Sequence, residues 1–234
     1  MLDFQAKDGV KNLSVFVQQN AVECNFSNSS SWVILSLIEQ SIKRKSEAVG
    51  TPLKDWDIQI NYGIKTGLND AFIIPTEKRD EILANCKTQE EREKTAELIR
   101  PILRGRDIKR HGYEWADLWL INTHNGVKEK NIPRIEIEDY PAIKAHLDSH
   151  WDKIEKRADQ GDTPYNLRNC AYLDLFSQPK ICWKAVGRNL AFSIVDSGVF
   201  LTAPDSFISA GIHNEYILAF LCSSIGKYFV YLYK

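Results

Sequence analysis

The sequence predicts an α+β fold, a mixed twisted β-sheet with flanking helices. Three observations lead there. Apolar residues recur at three- and four-residue steps in separate segments, as amphipathic helices require. After residue 178 the pattern changes to short runs rich in β-branched and aromatic residues. A length of 234 residues with 44% hydrophobic side chains is enough to bury one substantial core.

The elements follow in order. The run NFSNSSS, Asn25 to Ser31, is linker-like and ends in serines suited to cap a helix. Trp32, Leu35, Ile38 and Ile42 then mark one apolar helical face, stopped by Gly50 and Pro52, with Lys43, Arg44 and Lys45 in the last turns where cations suit the helix dipole. Ile58, Ile60, Tyr62 and Ile64 alternate with polar residues as a half-buried strand does, and AFII is a second short strand. Between them Gly67, Asn69 and Asp70 predict an exposed hairpin-like tip from Lys65 to Asp70.

Residues 77–99 are charge-dense and helical in pattern, with seven acids against five bases. DLWLIN is a strand, and NTHNGVKEKNIP is a polar loop long enough to suggest function. Pro141 starts a helix over Tyr140 to Arg157, with Ile143, Leu147, Trp151 and Ile154 on one face. The strands PKICWKAV, LAFSIV, GVFLT and SFIS precede a final apolar helix in which the chain stops. That ending, and a single methionine at position 1, suggest a domain excised from something longer.

The composition narrows the function classes. Thirty basic and 31 acidic residues give a formal charge of -1, whereas a free-standing nucleic-acid binder usually has a domain pI above about 9. Five widely spaced cysteines with no CxxC pair argue against a disulfide framework or a structural zinc site. Neither a signal peptide nor a membrane span is present in the sequence pattern, so a cytoplasmic protein is expected.

The charge is unevenly distributed. Arg100 to Tyr113 carries Arg100, Arg104, Arg106, Lys109 and Arg110 against Asp107 alone. Gln178 to Arg188 carries Lys180, Lys184 and Arg188 against no acid, while Asn189 to Gly226 has no Lys or Arg. A fold that joins the two basic segments makes a local phosphate-tracking face; otherwise each is a solvated charge run.

Most catalytic signatures are missing. There is no GxGxxG, GxxxxGK[ST] or GxSxG pattern, and KTGLND does not lead into a helix as a phosphate loop must. His146 and His150 have the i, i+4 spacing of a metal pair but lack the glutamate of HExxH, which favours an exposed helix face and no metal. Asp107, Ile108 and Lys109 form a D-x-K tripeptide with Glu97 upstream, the residue types of a magnesium-dependent nuclease, although convergent carboxylates are lacking.

Four ordered motifs carry a resemblance. GIKTGLNDAFII (63–74), LIRPILRGRDIKRHGY (98–113), YPAIKAHL (140–147) and TPYNLRNCAYLDLFSQPKICW (163–183) resemble the TaqI-like C-terminal specificity domain of type IIG restriction-modification enzymes and related adenine-specific DNA methyltransferases. The likeness runs from about Trp32 to the end. It implies a target-recognition-domain-like fold over residues 32–234, truncated at its C-terminal end. It also implies a connector over 1–31 from an upstream methyltransferase domain, with double-stranded DNA as partner. Catalysis, S-adenosylmethionine and any magnesium would belong to domains outside this chain, which has neither an NPPY-type tetrapeptide nor a glycine-rich cofactor loop. On this reading the chain is a non-catalytic recognition module without a cofactor of its own. The competing readings are a nuclease using Glu97, Asp107 and Lys109, and a protein-docking domain with weak DNA affinity.

Members of such a family recognise different sites, so the motifs they share hold scaffold or phosphate-positioning groups. In this sequence those are Lys65, Thr66, Arg104, Arg106, Lys109, Arg110, Arg168 and Lys180, with Arg104 or Arg106 alternatively pairing with Asp107 to hold a turn. Base-edge readers belong in the intervening loops, where Asn suits adenine and Lys or Arg suits guanine: Asn122, His124, Asn125, Lys128, Lys184, Arg188 and Asn189. Tyr165 and its neighbours Asn166 and Arg168 read as a structural turn after Pro164, with a stacking contact as the alternative.

Overall fold

The structure is a computed structural model that describes residues 12–21, 35–185 and 191–232. The chain divides into two compact units, Met1–Asp57 with Tyr228–Lys234, and Ile58–Lys227. The boundary expected at residue 31 lies outside the described residues.

In the first unit, α1 (Leu13–Asn20) is capped by Asn12, whose side chain accepts from the Ser14 and Val15 amides. Helix α2 (Leu37–Val49) begins at a reciprocal cap: the Glu39 amide donates to Ser36 Oγ and the Ser36 amide donates to Glu39 Oε2 at 2.7 Å. The expected apolar face is not realised. Leu35 is buried but precedes the helix, Ile38 is 74% exposed, and Trp32 lies outside the described residues. Here the cap, not the apolar spacing, sets where the helix begins.

The second unit contains the strands β1 (Gln59–Tyr62), β2 (Ile73–Pro75), β3 (Ile99–Leu103), β4 (Ile108–Lys109), β5 (Gly112–Tyr113), β6 (Leu118–Ile121), β7 (Lys180–Trp183), β8 (Phe192–Val195), β9 (Phe200–Leu201) and β10 (Ser206–Ser209). Its helices are α3 (Asn69–Phe72), α4 (Thr76–Ala84), α5 (Gln89–Leu98), α6 (Pro141–Asp148), α7 (Trp151–Ile154) and α8 (Asn214–Cys222); α9 (Ser224–Leu232) follows. The class is α+β, but the strands form two four-stranded sheets instead of one. One has the order β1-β10-β7-β8 and is antiparallel throughout; the other has the order β2-β6-β3-β9, with β3 and β9 parallel. Strands β4 and β5 make a separate two-stranded ribbon.

Two chain crossings join the sheets at one place. After β1 the chain turns along β9, with the Ile64 amide donating to Leu201 O at 2.7 Å, and 202–205 carries the chain from β9 back to β10. Gly63 is required there, because a Cβ would lie 2.2 Å from Leu201 O. The core is continuous beneath both sheets: Phe176 stacks on Phe200 at 4.5 Å and meets Phe207 at 5.0 Å.

Several segments depart from the sequence expectation for local reasons. The hairpin-like tip is not one, since β1 and β2 belong to different sheets. Thr66 is 2% exposed, its hydroxyl donates to Asn69 Oδ1 at 2.6 Å, and Ala71 and Phe72 complete a helical turn where a strand and no helix start were expected. The 77–99 helix splits because Thr88 caps a new helix by accepting from the Glu91 amide. The 140–157 helix breaks at Ser149 and His150, and Arg157 is buried with its guanidinium on the carbonyls of Thr66, Asp159 and Pro164. Burial draws its pKa down to about 10. The last helix breaks at Ser223, whose Oγ accepts from the Gly226 amide. No helix of the described residues is long and apolar enough to cross a membrane.

Candidate nucleic-acid interface

The RGRD sequence after β3 forms a compact turn. Asp107 is 5% exposed; its Oδ2 accepts from the Arg104 amide at 2.8 Å and Nε at 3.0 Å, and its Oδ1 from Arg104 Nη2 at 2.9 Å. Burial pushes the Asp107 pKa up, but the bonds from Arg104 outweigh it and hold the carboxyl below the usual range. Arg104 is therefore a scaffold residue, as one of the two sequence readings held. The same bonds occupy the carboxylate that a D-x-K nuclease would need for a metal, and Lys109 pairs with Glu114 at 3.3 Å.

Because Arg104 and Asp107 close the turn, the cations between and after them point outward. Arg106, Lys109 and Arg110 are exposed. The β4–β5 ribbon that carries Lys109 lies along β8, where the His111 amide approaches Phe192 O at 3.4 Å and the Tyr113 hydroxyl donates to Asp196 Oδ2 at 2.8 Å. Burial first, and then Asp196, raise the Tyr113 pKa to about 12, so the phenol stays protonated and keeps this bond.

Strands β7 and β8 pair from Trp183–Phe192 to Lys180–Val195, which puts the connection after Lys184 beside the ribbon. One buried carboxylate ties the two together. Asp205, 8% exposed, accepts from the Gly105 amide at 2.6 Å through Oδ2 and from the Ala185 amide at 2.9 Å through Oδ1. Each clamped amide stands next in sequence to an outward cation, Arg106 on one segment and Lys184 on the other. Position 105 must be glycine, since a Cβ there would lie 2.3 Å from Asp205 Oδ1. The two basic segments recognised in the sequence thus meet at one end of the molecule's second unit.

The other expected contacts are distributed differently. Lys65 is exposed with its ammonium 5.3 Å from the centre of the Tyr62 ring, and Arg168 is held by Asp159 at 2.8 Å. Lys180 is fully buried; its ammonium donates to the carbonyls of Phe176 at 3.1 Å and Gln178 at 3.1 Å, so it is scaffold. Asn122, His124, Asn125 and Lys128 lie at the far end of β3, where the Asn122 amide donates to Leu98 O. Five strand residues at about 3.3 Å each separate that end from Arg104. There Asn125 bonds Asp162 and Asn169, and His124 Nδ1 accepts from the Gly126 amide, so both brace the loop. Lys128 is exposed, and Arg188 and Asn189 lie outside the described residues.

The Tyr165–Arg168 segment is mainly structural: Tyr165 donates to Asp148 Oδ1 at 2.6 Å, and Asn166 donates to Ile135 O. His146 Nε2 lies 2.9 Å from Ala71 O, and His150 Nδ1 is 3.2 Å from His146 O, so each ring is engaged with backbone. Among the described residues no group of three His, Cys, Asp or Glu side chains could hold a metal ion.

Sequence reasoning missed Asp205, Gly105 as its partner, and Arg157. Their partners are main-chain amides and carbonyls remote in sequence, which no side-chain motif encodes.

The chain matches no protein-family model and no curated protein. Among solved structures it is similar to the type IIL restriction-modification enzyme MmeI in complex with DNA, with 13% identity and a TM-score of 0.47. The alignment covers 71% of this chain and 21% of that one, so this chain spans about a fifth of its length.

Proposed function

We propose that the second unit is a DNA target-recognition module, whose phosphate-contacting face is built from Arg106, Arg110 and Lys184. The observation that carries the reading is the Asp205 clamp, which joins two cation-rich segments 80 residues apart into one surface although the whole chain has a charge of -1. The four ordered sequence motifs support the same reading. In this proposal Arg104, Thr66 and Lys180 are scaffold, Arg106 and Arg110 track phosphates, and Lys184, with Arg188 and Asn189 after it, reads base edges. The module would serve an adenine-specific methyltransferase of the type IIG kind in the same polypeptide and in the cytoplasm. S-adenosylmethionine, and magnesium for any nuclease, would be bound by that partner.

The test is binding of the full chain to a randomised duplex pool, followed by comparison of the selected and scrambled duplexes at two salt concentrations. Sequence-selective binding is expected, with Arg106→Ala weakening all duplexes alike and Lys184→Ala lowering the ratio between selected and scrambled sites. Absence of duplex binding at low salt would overturn the reading.

A further inference from the structure

A cleft of about 430 Å³ opens at the Ile99 end of β3, remote from the clamped basic segments. Leu98, Leu173 and Phe200 form apolar walls, all less than 10% exposed. Arg100, Asn122 and Tyr140 bring polar groups to the same cleft, and none of these three side chains forms a hydrogen bond or ion pair with another described residue. Asn122 is 8% exposed, and its Oδ1 is buried with no partner. A buried acceptor left unpaired typically costs about 1–3 kcal/mol.

The uncommitted charges set the chemistry. Lys94 is held by Glu90 at 2.6 Å and Asp174 by Lys130, which leaves the Arg100 guanidinium facing Glu97 as the other uncommitted charged group. Arg100 reaches its place across Gly198, where a Cβ would lie 2.7 Å from Nη2. One free cation favours a single anionic group, and Glu97 disfavours a second. Asn122 offers an acceptor beside a donor on one planar edge, the pattern that pairs with an amino group next to a ring nitrogen. The size is that of a small-ligand site.

We infer that this cleft binds a nucleotide with an amino-bearing base: the base edge on Asn122, packed between the apolar walls, and one phosphate on Arg100 with the Tyr140 hydroxyl. The nucleotide comes either from solution or as an unstacked residue of bound DNA, and the second source rests on the function proposed above.

Calorimetric titration of the full chain with AMP, TMP and inorganic phosphate separates the contributions. Saturable AMP binding is expected, at least about tenfold tighter than TMP or phosphate. Asn122→Asp and Tyr140→Phe, both near-isosteric, should each weaken it about tenfold with an unchanged unfolding midpoint. In parallel, duplexes carrying 2-aminopurine at successive positions are titrated and their total binding followed by mobility shift. A fluorescence rise at one position, lost in Asn122→Asp, identifies DNA as the source, whereas AMP binding without that rise identifies a free nucleotide. If AMP does not bind and no position brightens, or if the variants match the wild type, the inference is overturned. Mobility shift then shows separately whether duplex recognition stands.

Discussion

The two ends of strand β3 carry similarly polar sequence but use it in opposite ways. At the Leu103 end, acids are turned inward onto main-chain amides and one arginine, and the remaining cations face outward. At the Ile99 end, polar loop residues bond mainly to each other, as Asn125 does with Asp162 and Asn169, and the uncommitted groups face into a cleft. The first arrangement presents charge to an extended polyanion, and the second encloses a small ligand. Loop polarity alone does not distinguish them; what distinguishes them is which groups are already satisfied.

The strongest perturbation of the first end is removal of its clamp. Asp205→Ala leaves the Gly105 and Ala185 amides without their acceptor. It should cost about 3–5 kcal/mol in denaturant unfolding and lower duplex affinity as well. An effect below 1 kcal/mol would mean that the two basic segments hold their places independently.

Lys180 tests the shared scaffold through pH. Burial lowers its pKa to about 8 from 10.5, so the native state sheds this proton before the unfolded state does. The charged ammonium is thus a penalty, present in full below pH 8 and relieved as pH rises towards 10.5. The wild type should therefore gain on Lys180→Met by at most about 3 kcal/mol over that window, read from unfolding midpoints against pH. Parallel curves would show that the ammonium is better solvated than its complete burial implies.

Gly105→Ala should destabilise by about 1–3 kcal/mol, because the new methyl group meets the clamping carboxylate. Arg104→Ala should cost a similar amount through the loss of its bonds to Asp107. Arg106→Ala, only two residues further on, should change stability by less than about 0.5 kcal/mol. Equal stabilities for Arg104→Ala and Arg106→Ala would erase the distinction between frame and face within this one motif.

Much of the fold is legible in the sequence where the signal is local. The strands at Leu118–Ile121, Lys180–Trp183, Phe192–Val195 and Ser206–Ser209 were all expected from β-branched and aromatic runs. Helix breaks were not, because Thr88 and Ser223 redirect the chain through caps that compete with an otherwise continuous periodicity. The two basic segments are visible as composition, but not their meeting. That depends on Asp205, which looks like any loop acid and whose partners are main-chain amides 100 and 20 residues away.

The central claim is that Arg106 and Arg110 face phosphate. Its most direct test is the salt dependence of duplex binding for Arg106→Ala/Arg110→Ala beside the wild type, with unfolding midpoints measured on the same samples. The account predicts a slope of log K against log salt shallower by about 2, near 0.9 for each phosphate released, at unchanged stability. A variant that binds with the wild-type slope would contradict it.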